Sequence, residues 1–350
     1  MLRQPLRLAQ PFACNEDAMS GPTPLPETIA LTSCMRNEGL FVLEWIAYHQ
    51  TLGFDGVVIV TNDCTDGSDT LLDLLADHGV VTHIRQTLSE GDIPQDQGMD
   101  LALAHLREIK TTWCLHIDSD EFLLIEAGEG HLTDLMQNVS DADCVPIIWR
   151  NFGDSGLTDW TAGDSVLNAF TQAEAASEPG QSKSKCLFRV ASFNAATDHN
   201  PLDPTVTNPS VKSADGAAMA NAPLFKRAKV SRFRPYGLPC KAKTARINHY
   251  AVKSQDLFLM KNDRGDGQGK RTDDKYHLGS RWHAQANRND VTDRAILRHW
   301  PATTARLADL RALPGVAAAE QHCQNWFTKR RAAILTDAQR QTWTKGAMTA

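Results

Sequence analysis

Short apolar runs alternate with helical patterns along the first part of the chain. The runs span 28–33, 56–60, 80–84, 113–117 and 144–149, lengths that are typical of buried strands. Apolar residues recur at helical spacing over 39–50, 68–79 and 95–110, and Gly53 ends the first of these segments. Strands that alternate with helices through short connections predict an α/β fold, in which a mainly parallel sheet has helices on both faces.

The second half of the chain has a less regular pattern. Residues 195–223 are rich in Asn, Pro, Ala and Asp, so we expect loops there. Residues 262–281 are charged and glycine-rich, which predicts a mobile loop, and helical spacing resumes from Val291. The sequence therefore predicts a flexible tail over 1–27, a main domain over 28–260, and a mobile loop with a helical C-terminal extension over 261–350.

Composition places the chain among ordinary globular proteins. Its 350 residues are 42% hydrophobic and 22% charged, and the formal net charge is −6. A negative net charge gives no overall attraction to nucleic acid, so we expect no nucleic-acid partner. The sequence contains no apolar run of the roughly 20 residues that span a bilayer. We therefore expect a cytoplasmic protein, with peripheral contact at the inner face of the membrane left open.

Eight cysteines are scattered along the chain, and no two of them form a C-x-x-C pair. This spacing indicates neither a zinc site nor a thioredoxin-like motif, and we expect free thiols. They are Cys14, Cys34, Cys64, Cys114, Cys144, Cys186, Cys240 and Cys323.

Three polar clusters follow predicted strands, at 33–38, 61–68 and 118–121. Ligands of parallel sheets bind beyond the carboxyl ends of the strands, so the clusters are expected to meet at one site. Asp118 and Asp120 are separated by one residue, so both carboxylates can face a Mg²⁺ or Mn²⁺ ion, which prefers oxygen ligands. Such an ion can bridge a nucleotide diphosphate and neutralise its charge as it leaves.

Each of these residues also has an ordinary structural interpretation. Asp66 can cap the helix that follows it instead of contacting a ligand. Glu121 can pair with a nearby cation, and His116 lies within a predicted strand, where packing is the usual role. Trp45 and Trp149 are of a residue type found more often in cores than on sugar-binding surfaces.

A basic stretch over 226–246 also has two interpretations. Its charges can form a solvated face, or they can bind a diphosphate, an acidic glycan or lipid headgroups. They are Lys226, Arg227, Lys229, Arg232, Arg234, Lys241, Lys243 and Arg246.

Six segments together resemble glycosyltransferase family 2 and, more closely, the related family 92, which share the GT-A fold. The resemblance covers roughly residues 29–265 in order. The matching segments are Arg36-Asn37-Glu38, 44–53, 62–67, 113–122, 149–156 and 247–254. The resemblance implies a GT-A, nucleotide-diphospho-sugar-transferase core and a metal-dependent, hexosyltransferase-like enzyme of polysaccharide biosynthesis. It would move a sugar from a nucleotide-diphosphate donor to a glycan or glycolipid hydroxyl, with inversion.

Roles for individual residues also follow from the resemblance. Asp118 and Asp120 would bind the Mn²⁺ or Mg²⁺ ion, with Asp118 near the ribose as well, and His249 would complete the metal shell. The nucleotide and its diphosphate would contact Arg36, Asn37, Glu38, Asn62, Asp66, Lys185 and Lys253. Thr61 departs from the family pattern, in which an Asp is frequent, and this leaves base recognition open.

The sequence leaves the catalytic base and two rival functions open. Inverting transfer needs a group that accepts the proton of the acceptor hydroxyl. Asp154, Asp198 and the adjacent His199 are the candidates, and Asp159 and Asp203 are further choices. A nucleotidyl- or phosphotransferase on a similar sheet and a non-catalytic glycan-binding protein are the alternative functions. The sequence lacks the G-x-x-x-x-G-K-[ST] phosphate loop, which argues against a P-loop enzyme.

Overall fold

The computed structural model describes residues 27–177, 183–227, 233, 242–265 and 274–344. Residues 1–26 of the predicted tail, Cys14, Cys240 and much of the basic stretch lie outside the described residues, as do 266–273 of the predicted mobile loop. Within the described ranges, no helix is both long and apolar enough to cross a bilayer.

The described part of the chain forms fourteen strands and ten α-helices. The strands are β1 (Ile29–Met35), β2 (Gly56–Thr61), β3 (Thr82–Arg85), β4 (Trp113–His116), β5 (Glu121–Ile125), β6 (Cys144–Asn151), β7 (Gln172–Ala173), β8 (Ser184–Arg189), β9 (Phe193–Ala196), β10 (Pro201–Pro204), β11 (Val211–Lys212), β12 (Ala218–Met219), β13 (Ala245–His249) and β14 (Val291–Thr292). The helices are α1 (Val42–Thr51), α2 (Ser68–Asp77), α3 (Pro94–Glu108), α4 (Leu132–Val139), α5 (Val166–Ala169), α6 (Gln255–Arg264), α7 (Arg281–Ala286), α8 (Trp300–Ala312), α9 (Val316–Ile334) and α10 (Asp337–Thr342).

The main sheet is mixed. Its strand order is β12-β11-β6-β8-β4-β1-β2-β3, and β13 pairs with both β5 and β6. The strands β4, β1, β2 and β3 are parallel, so their carboxyl ends lie at one edge of the sheet. The strand β8 runs antiparallel between β4 and β6. This sheet, with its helices and the C-terminal helices, confirms the predicted fold class.

Both faces of the sheet are buried, because successive residues of a strand point to opposite faces. Leu31 of β1 belongs to one apolar cluster, which also contains residues of α1, α2 and the C-terminal helices. Ala30, its neighbour, belongs to a second cluster with Met99 and Leu103 of α3. The near-continuous apolar strands of the sequence therefore have the two-sided burial that is expected of parallel strands.

The C-terminal helices pack on the first half of the chain. Helix α8 contacts α1, and α9 contacts α2. Gly39, in the loop after β1, lies so close to Cys323 of α9 that a Cβ atom at position 39 would overlap the Sγ atom. Gly67 has a φ angle of 87° and packs in the same way against His322. The helical extension therefore presses directly on the loops at the carboxyl ends of β1 and β2.

The second half of the chain departs from the prediction of loops over 195–223. The prediction was wrong there, because β10, β11, β12 and part of β9 form within this range. These strands have only two to four residues each, too short for a two-residue periodicity to stand out in the sequence.

Candidate active site

A cleft of about 360 Å³ opens at the carboxyl ends of β1, β2 and β4. Residues from all three predicted polar clusters line it. They include Arg36, Glu38, Asn62, Asp118 and Asp120, together with Asp198, His199 and His249. The parallel strands thus bring together residues that are far apart in the sequence, as their strand-end positions predicted. A larger opening of about 470 Å³ near Asp256 and Arg340 lies away from these strand ends, and its central carboxylate is paired with arginine.

Asp118 is held by a buried lysine. Lys185 Nζ donates to Asp118 Oδ2 at 3.1 Å and to the Asp198 carbonyl oxygen at 2.8 Å, and it lies 3.6 Å from Glu121 Oε2. Glu121 also accepts a hydrogen bond from the Asp118 backbone N–H, at 3.0 Å. Burial alone would lower the pKa of Lys185, but the charges of Asp118 and Glu121 raise it above its ordinary value. Lys185 is therefore an ammonium that fixes the position of the first aspartate.

Asp120 has two basic neighbours. Lys261 Nζ of α6 donates to Asp120 Oδ2 at 2.8 Å, and His249 Nε2 lies 3.7 Å from Asp120 Oδ1. Burial raises the pKa of this carboxyl, but the charge and the hydrogen bond of Lys261 are chief among the effects that outweigh burial and hold the pKa well below its usual range. Asp120 is therefore an anion at neutral pH.

His249 is neutral at pH 7, because burial lowers its pKa to about 4. Its Nδ1 atom lies 3.3 Å from Asn151 Oδ1, so when Nδ1 carries the proton, Nε2 presents a lone pair. That lone pair and Asp120 Oδ1 then face each other at 3.7 Å with no proton between them. Two electron-pair donors at this separation fit a shared cation.

The described residues do not provide a third ligand for such a cation. Within the described ranges, no group of three His, Cys, Asp or Glu side chains is arranged to hold a metal ion. A divalent ion bound to Asp120 and His249 would thus need oxygen atoms from water or from a substrate. Mg²⁺ in nucleotide sites is commonly bound in this way, by one or two protein ligands and substrate phosphates.

Aromatic and basic side chains form the end of the cleft that adjoins His249. Trp149 packs against His249, with 4.2 Å between the ring centroids, and against His199 at 5.4 Å. Lys183 Nζ lies 5.2 Å from the Trp149 ring and 5.5 Å from the ring of Trp282, which comes from α7. This end of the cleft therefore offers aromatic surface next to positive charge.

Asp198 and His199 lie where this aromatic end meets the acidic centre. The Nδ1–H group of His199 donates to the Ser184 carbonyl oxygen at 2.9 Å. Nε2 lies 3.6 Å from Asp198 Oδ2. Both side chains line the cleft, so either can reach a bound molecule.

Three predicted nucleotide contacts have other positions. Lys185 is fully buried beneath Asp118, so it does not reach a diphosphate in the cleft. The carboxylate of Asp66 accepts hydrogen bonds from the backbone N–H groups of Gly39 and Ser68, both at 2.9 Å. Asp66 thus joins two loops at the start of α2, a structural role, although Gly67 and not Asp66 is the N-cap residue of that helix. Lys253 lines a separate cavity behind the cleft.

Asn37 and Asp154 also have structural surroundings. Asn37 accepts a hydrogen bond from the backbone N–H of Thr65 at 2.8 Å and so joins the loops after β1 and β2. The Asp154 carboxylate accepts hydrogen bonds from Asn287 Nδ2 at 3.0 Å, Asn289 Nδ2 at 3.1 Å and the Gly156 N–H at 2.9 Å. The predicted catalytic role of Asp154 therefore finds no support in its position, since its oxygen atoms anchor the segment after α7.

Several cleft residues were not predicted from the sequence. Lys261 and Arg264 come from α6, and Lys183, Lys275 and Trp282 come from segments without a recognisable motif. One feature of the sequence could have indicated Lys261, since it lies only seven residues after the family-like segment that ends at residue 254. Arg264 pairs with Glu38 and so links α6 to the loop after β1.

The chain matches a known protein over part of this core. It is 27% identical over 139 residues to a glycosyltransferase family 92 protein of Ricinus communis. The chain resembles family 92 glycosyltransferases. This confirms the resemblance that the motifs indicated. The match covers 38% of the chain and 24% of that relative, so the chain spans about a quarter of its length. No protein-family model matches the chain.

Solved structures show weaker similarity. Residues 1–349 of S. aureus TarS are 11% identical, with 87% of this chain and 92% of that chain covered and a TM-score of 0.36. M. tuberculosis glucosyl-3-phosphoglycerate synthase, solved with Mn²⁺, uridine diphosphate and glucosyl-3-phosphoglycerate, is 18% identical. That match covers 36% of this chain and 45% of the synthase, with a TM-score of 0.25. These scores are low, so the fold class is established by the strand order described above.

Proposed function

We propose that the protein is a glycosyltransferase that moves a sugar from a nucleotide-diphosphate donor to a hydroxyl acceptor. The observation that supports this most strongly is the convergence of Asp120, His249 and Lys261 at the carboxyl ends of parallel strands. The similarity to family 92 supports the same reaction class. The domain over 28–260 would be the catalytic unit, with the C-terminal helices as its support.

The donor would bind with its diphosphate at the acidic centre. Arg36 is exposed, lines the cleft, and forms no hydrogen bond or ion pair with the described residues, so its guanidinium can bind phosphate. Asn62 also lines the cleft, where it can contact the nucleoside. Lys261 can move from Asp120 to the diphosphate when a divalent ion takes its place on the carboxylate.

Asp120 and His249 would hold Mn²⁺ or Mg²⁺, with Asp118 next to them. Such an ion stabilises the charge of a departing diphosphate. Lys185 keeps the Asp118 carboxylate in position, and Lys261 and Arg36 add positive charge around the leaving group.

The proton of the acceptor hydroxyl would pass to the Asp198 carboxylate. Asp198 is preferred over Asp154 because it lines the cleft, whereas Asp154 is hydrogen-bonded outside it. The acceptor oxygen would bond to the anomeric carbon while the bond to the diphosphate breaks, and attack from the face opposite the diphosphate gives inversion. His199 beside Asp198 is a positioning residue.

The acceptor would bind at the aromatic end of the cleft. The rings of Trp149 and Trp282 offer flat apolar surface of the kind on which sugar rings pack, and Lys183 lies between them. A glycan or glycolipid acceptor, a role in polysaccharide biosynthesis and a cytoplasmic location, with peripheral contact at the inner membrane face, belong to the same proposal.

A donor screen with the variant Asp120→Asn tests the proposal. Nucleotide sugars would be incubated with the full chain and Mn²⁺ or Mg²⁺, and release of nucleoside diphosphate would be measured. We expect Asp120→Asn to lower the rate at least about 100-fold, because the charge that holds the cation is lost. Asp141→Asn changes an exposed carboxylate far from the cleft and is the matched control.

The rival functions give different products in the same screen. Release of pyrophosphate or a phosphorylated product would indicate a nucleotidyl- or phosphotransferase. Sugar binding without any donor cleavage, in both the wild type and the variant, would indicate a glycan-binding protein. A fully active Asp120→Asn enzyme would exclude the metal role of Asp120.

A further inference from the structure

A second cavity lies directly behind one wall of the cleft. Glu38, Lys261 and Arg264 border both spaces. The second cavity measures about 60 Å³, which is room for roughly four to six atoms of water size. Its other walls are largely apolar and include Leu40, Phe41, Leu257, Met260, Trp326 and Phe327. An apolar space of this kind is unsuited to a sugar or a hydrated cation.

One charged group in this cavity, Lys253, lies against an aromatic ring. Lys253 is only 3% exposed, and its Nζ atom lies 4.4 Å from the centroid of the Phe41 ring. Among the residues that the structure describes, none forms a hydrogen bond or ion pair with Lys253. The other ions of the cavity are paired, Glu38 with Arg264, Lys261 with Asp120 and Asp263 with Arg330. Lys253 is thus a buried cation with unused hydrogen-bond donors.

The backbone conformation at Lys253 indicates that the surrounding structure holds this residue in place. Its φ angle of 55° lies in the left-handed region, which is uncommon for a lysine. The next residue, Ser254, accepts a hydrogen bond from the Leu257 N–H and fixes the start of α6. The surrounding structure therefore holds the lysine in a conformation that it would seldom adopt by itself. Burial also lowers the pKa of Lys253 to about 7, because the charges of Asp120 and Glu44 only partly offset the lost hydration.

The chemistry of the cavity limits its occupant. A single ammonium balances one negative charge, so a phosphate dianion would remain partly uncompensated in an apolar space. A carboxylate can accept hydrogen bonds from the ammonium through both oxygens. The apolar walls then suit a short hydrocarbon chain, and the volume allows about three carbons beyond the carboxyl group.

We propose that this cavity binds a small amphipathic monocarboxylate, with the carboxylate on Lys253 Nζ and a short hydrocarbon chain between Phe41, Leu257 and Phe327. The site is separate from the donor cleft and does not depend on the proposed transfer reaction.

Titration of the full chain with butyrate tests the proposal without any nucleotide sugar. Binding would be followed by calorimetry and by the rise in melting temperature that a ligand of the native state produces. We expect saturable butyrate binding, and at least about tenfold weaker binding by Lys253→Met, because one partner of a buried charge pair is removed. Leu40→Trp fills the cavity from a half-buried position and should weaken binding as much, even if Lys253→Met folds poorly.

Controls separate the charge from the cavity. Lys212→Met alters a half-buried lysine paired with the exposed Asp141, outside the cavity, and should bind butyrate like the wild type. Butyramide has the same shape without the charge and should bind much more weakly. Equal binding of butyrate by Lys253→Met, equal binding of butyramide, or no saturable binding by the wild type would each overturn the proposal. Inorganic phosphate competing as well as butyrate would overturn the choice of a monocarboxylate. A failed donor screen would leave all of these results unaffected.

Discussion

Two lysines of this protein are equally buried and have opposite electrostatic surroundings. Lys185 lies at the acidic centre, where Asp118 and Glu121 raise its pKa. Lys253 lies in the second cavity, where burial lowers its pKa to about 7 and its Nζ atom lies over the Phe41 ring. Burial alone therefore does not determine the protonation state of a lysine here. The neighbouring side chains determine whether its ammonium group is engaged in structural ion pairs or can bind a ligand.

Lys185→Met should have the largest effect on stability. The substitution leaves the Asp118 and Glu121 carboxylates without their common cation, one of them fully buried. Breaking a buried ion pair in this way typically costs about 3–5 kcal/mol in unfolding free energy. Urea denaturation followed by circular dichroism would measure the loss. A loss below about 1 kcal/mol would show that Lys185 does not compensate these acids.

A second substitution shows whether the loss of stability comes from the interaction between Lys185 and Asp118. Asp118→Asn in the Lys185→Met background removes the uncompensated charge and should recover part of the stability. The coupling between the two sites should be of the order of 0.5–3 kcal/mol, the range for residues in contact. Strict additivity of the two changes would contradict a direct interaction.

The pH dependence of stability should distinguish Lys253 from Lys185. Between about pH 7 and the ordinary lysine value of 10.5, the unfolded chain protonates Lys253 and the folded chain does not. As far as this group is concerned, the unfolding free energy is highest above pH 10.5, falls as the pH falls toward 7, and is constant below that. Asp120, Lys261 and Glu44 are the charged groups nearest to it. The difference between the wild type and Lys253→Met, measured by urea denaturation across this range, isolates the effect.

Lys253→Met should cause the smallest loss of stability at pH 7. The substitution replaces a buried amine, which is costly to protonate in the folded chain, with an apolar side chain of similar length, so we expect no loss and a net gain in unfolding free energy. A loss as large as that of Lys185→Met would mean that Lys253 has a structural partner, and the comparison between the two lysines would fail.

The sequence predicted the parts of the site that depend on local pattern. The strands ending before Arg36, Asn62 and Asp118 were recognisable from their apolar runs, and the parallel arrangement then brought their ends together. The role of Lys185 could not be predicted, because it depends on β8 entering the sheet antiparallel between β4 and β6. A two-residue periodicity gives neither strand order nor direction, so Lys185 could equally have faced the cleft.

The same limit explains the residues that were missed. Lys261 and Trp282 lie on helices more than 100 residues after Asp120 and Trp149 in the sequence. No local spacing therefore connects them to those residues. Asp154 was one of several candidate bases, because inverting transfer needs a group that accepts a proton and the sequence could not choose among them. Its amide partners, Asn287 and Asn289, are more than 130 residues away and give no signal in the sequence.

The close contact between Gly39 and Cys323 fixes the loop after β1 against the helix α9. Only a hydrogen atom fits between the glycine Cα and the thiol, so the loop and the helix cannot move closer together. A methyl group at position 39 would push them apart. Asp66 ties the same glycine to the start of α2. A truncation that removes α9 would therefore release the rim of the donor cleft, although the deleted helix contributes no residue to that cleft.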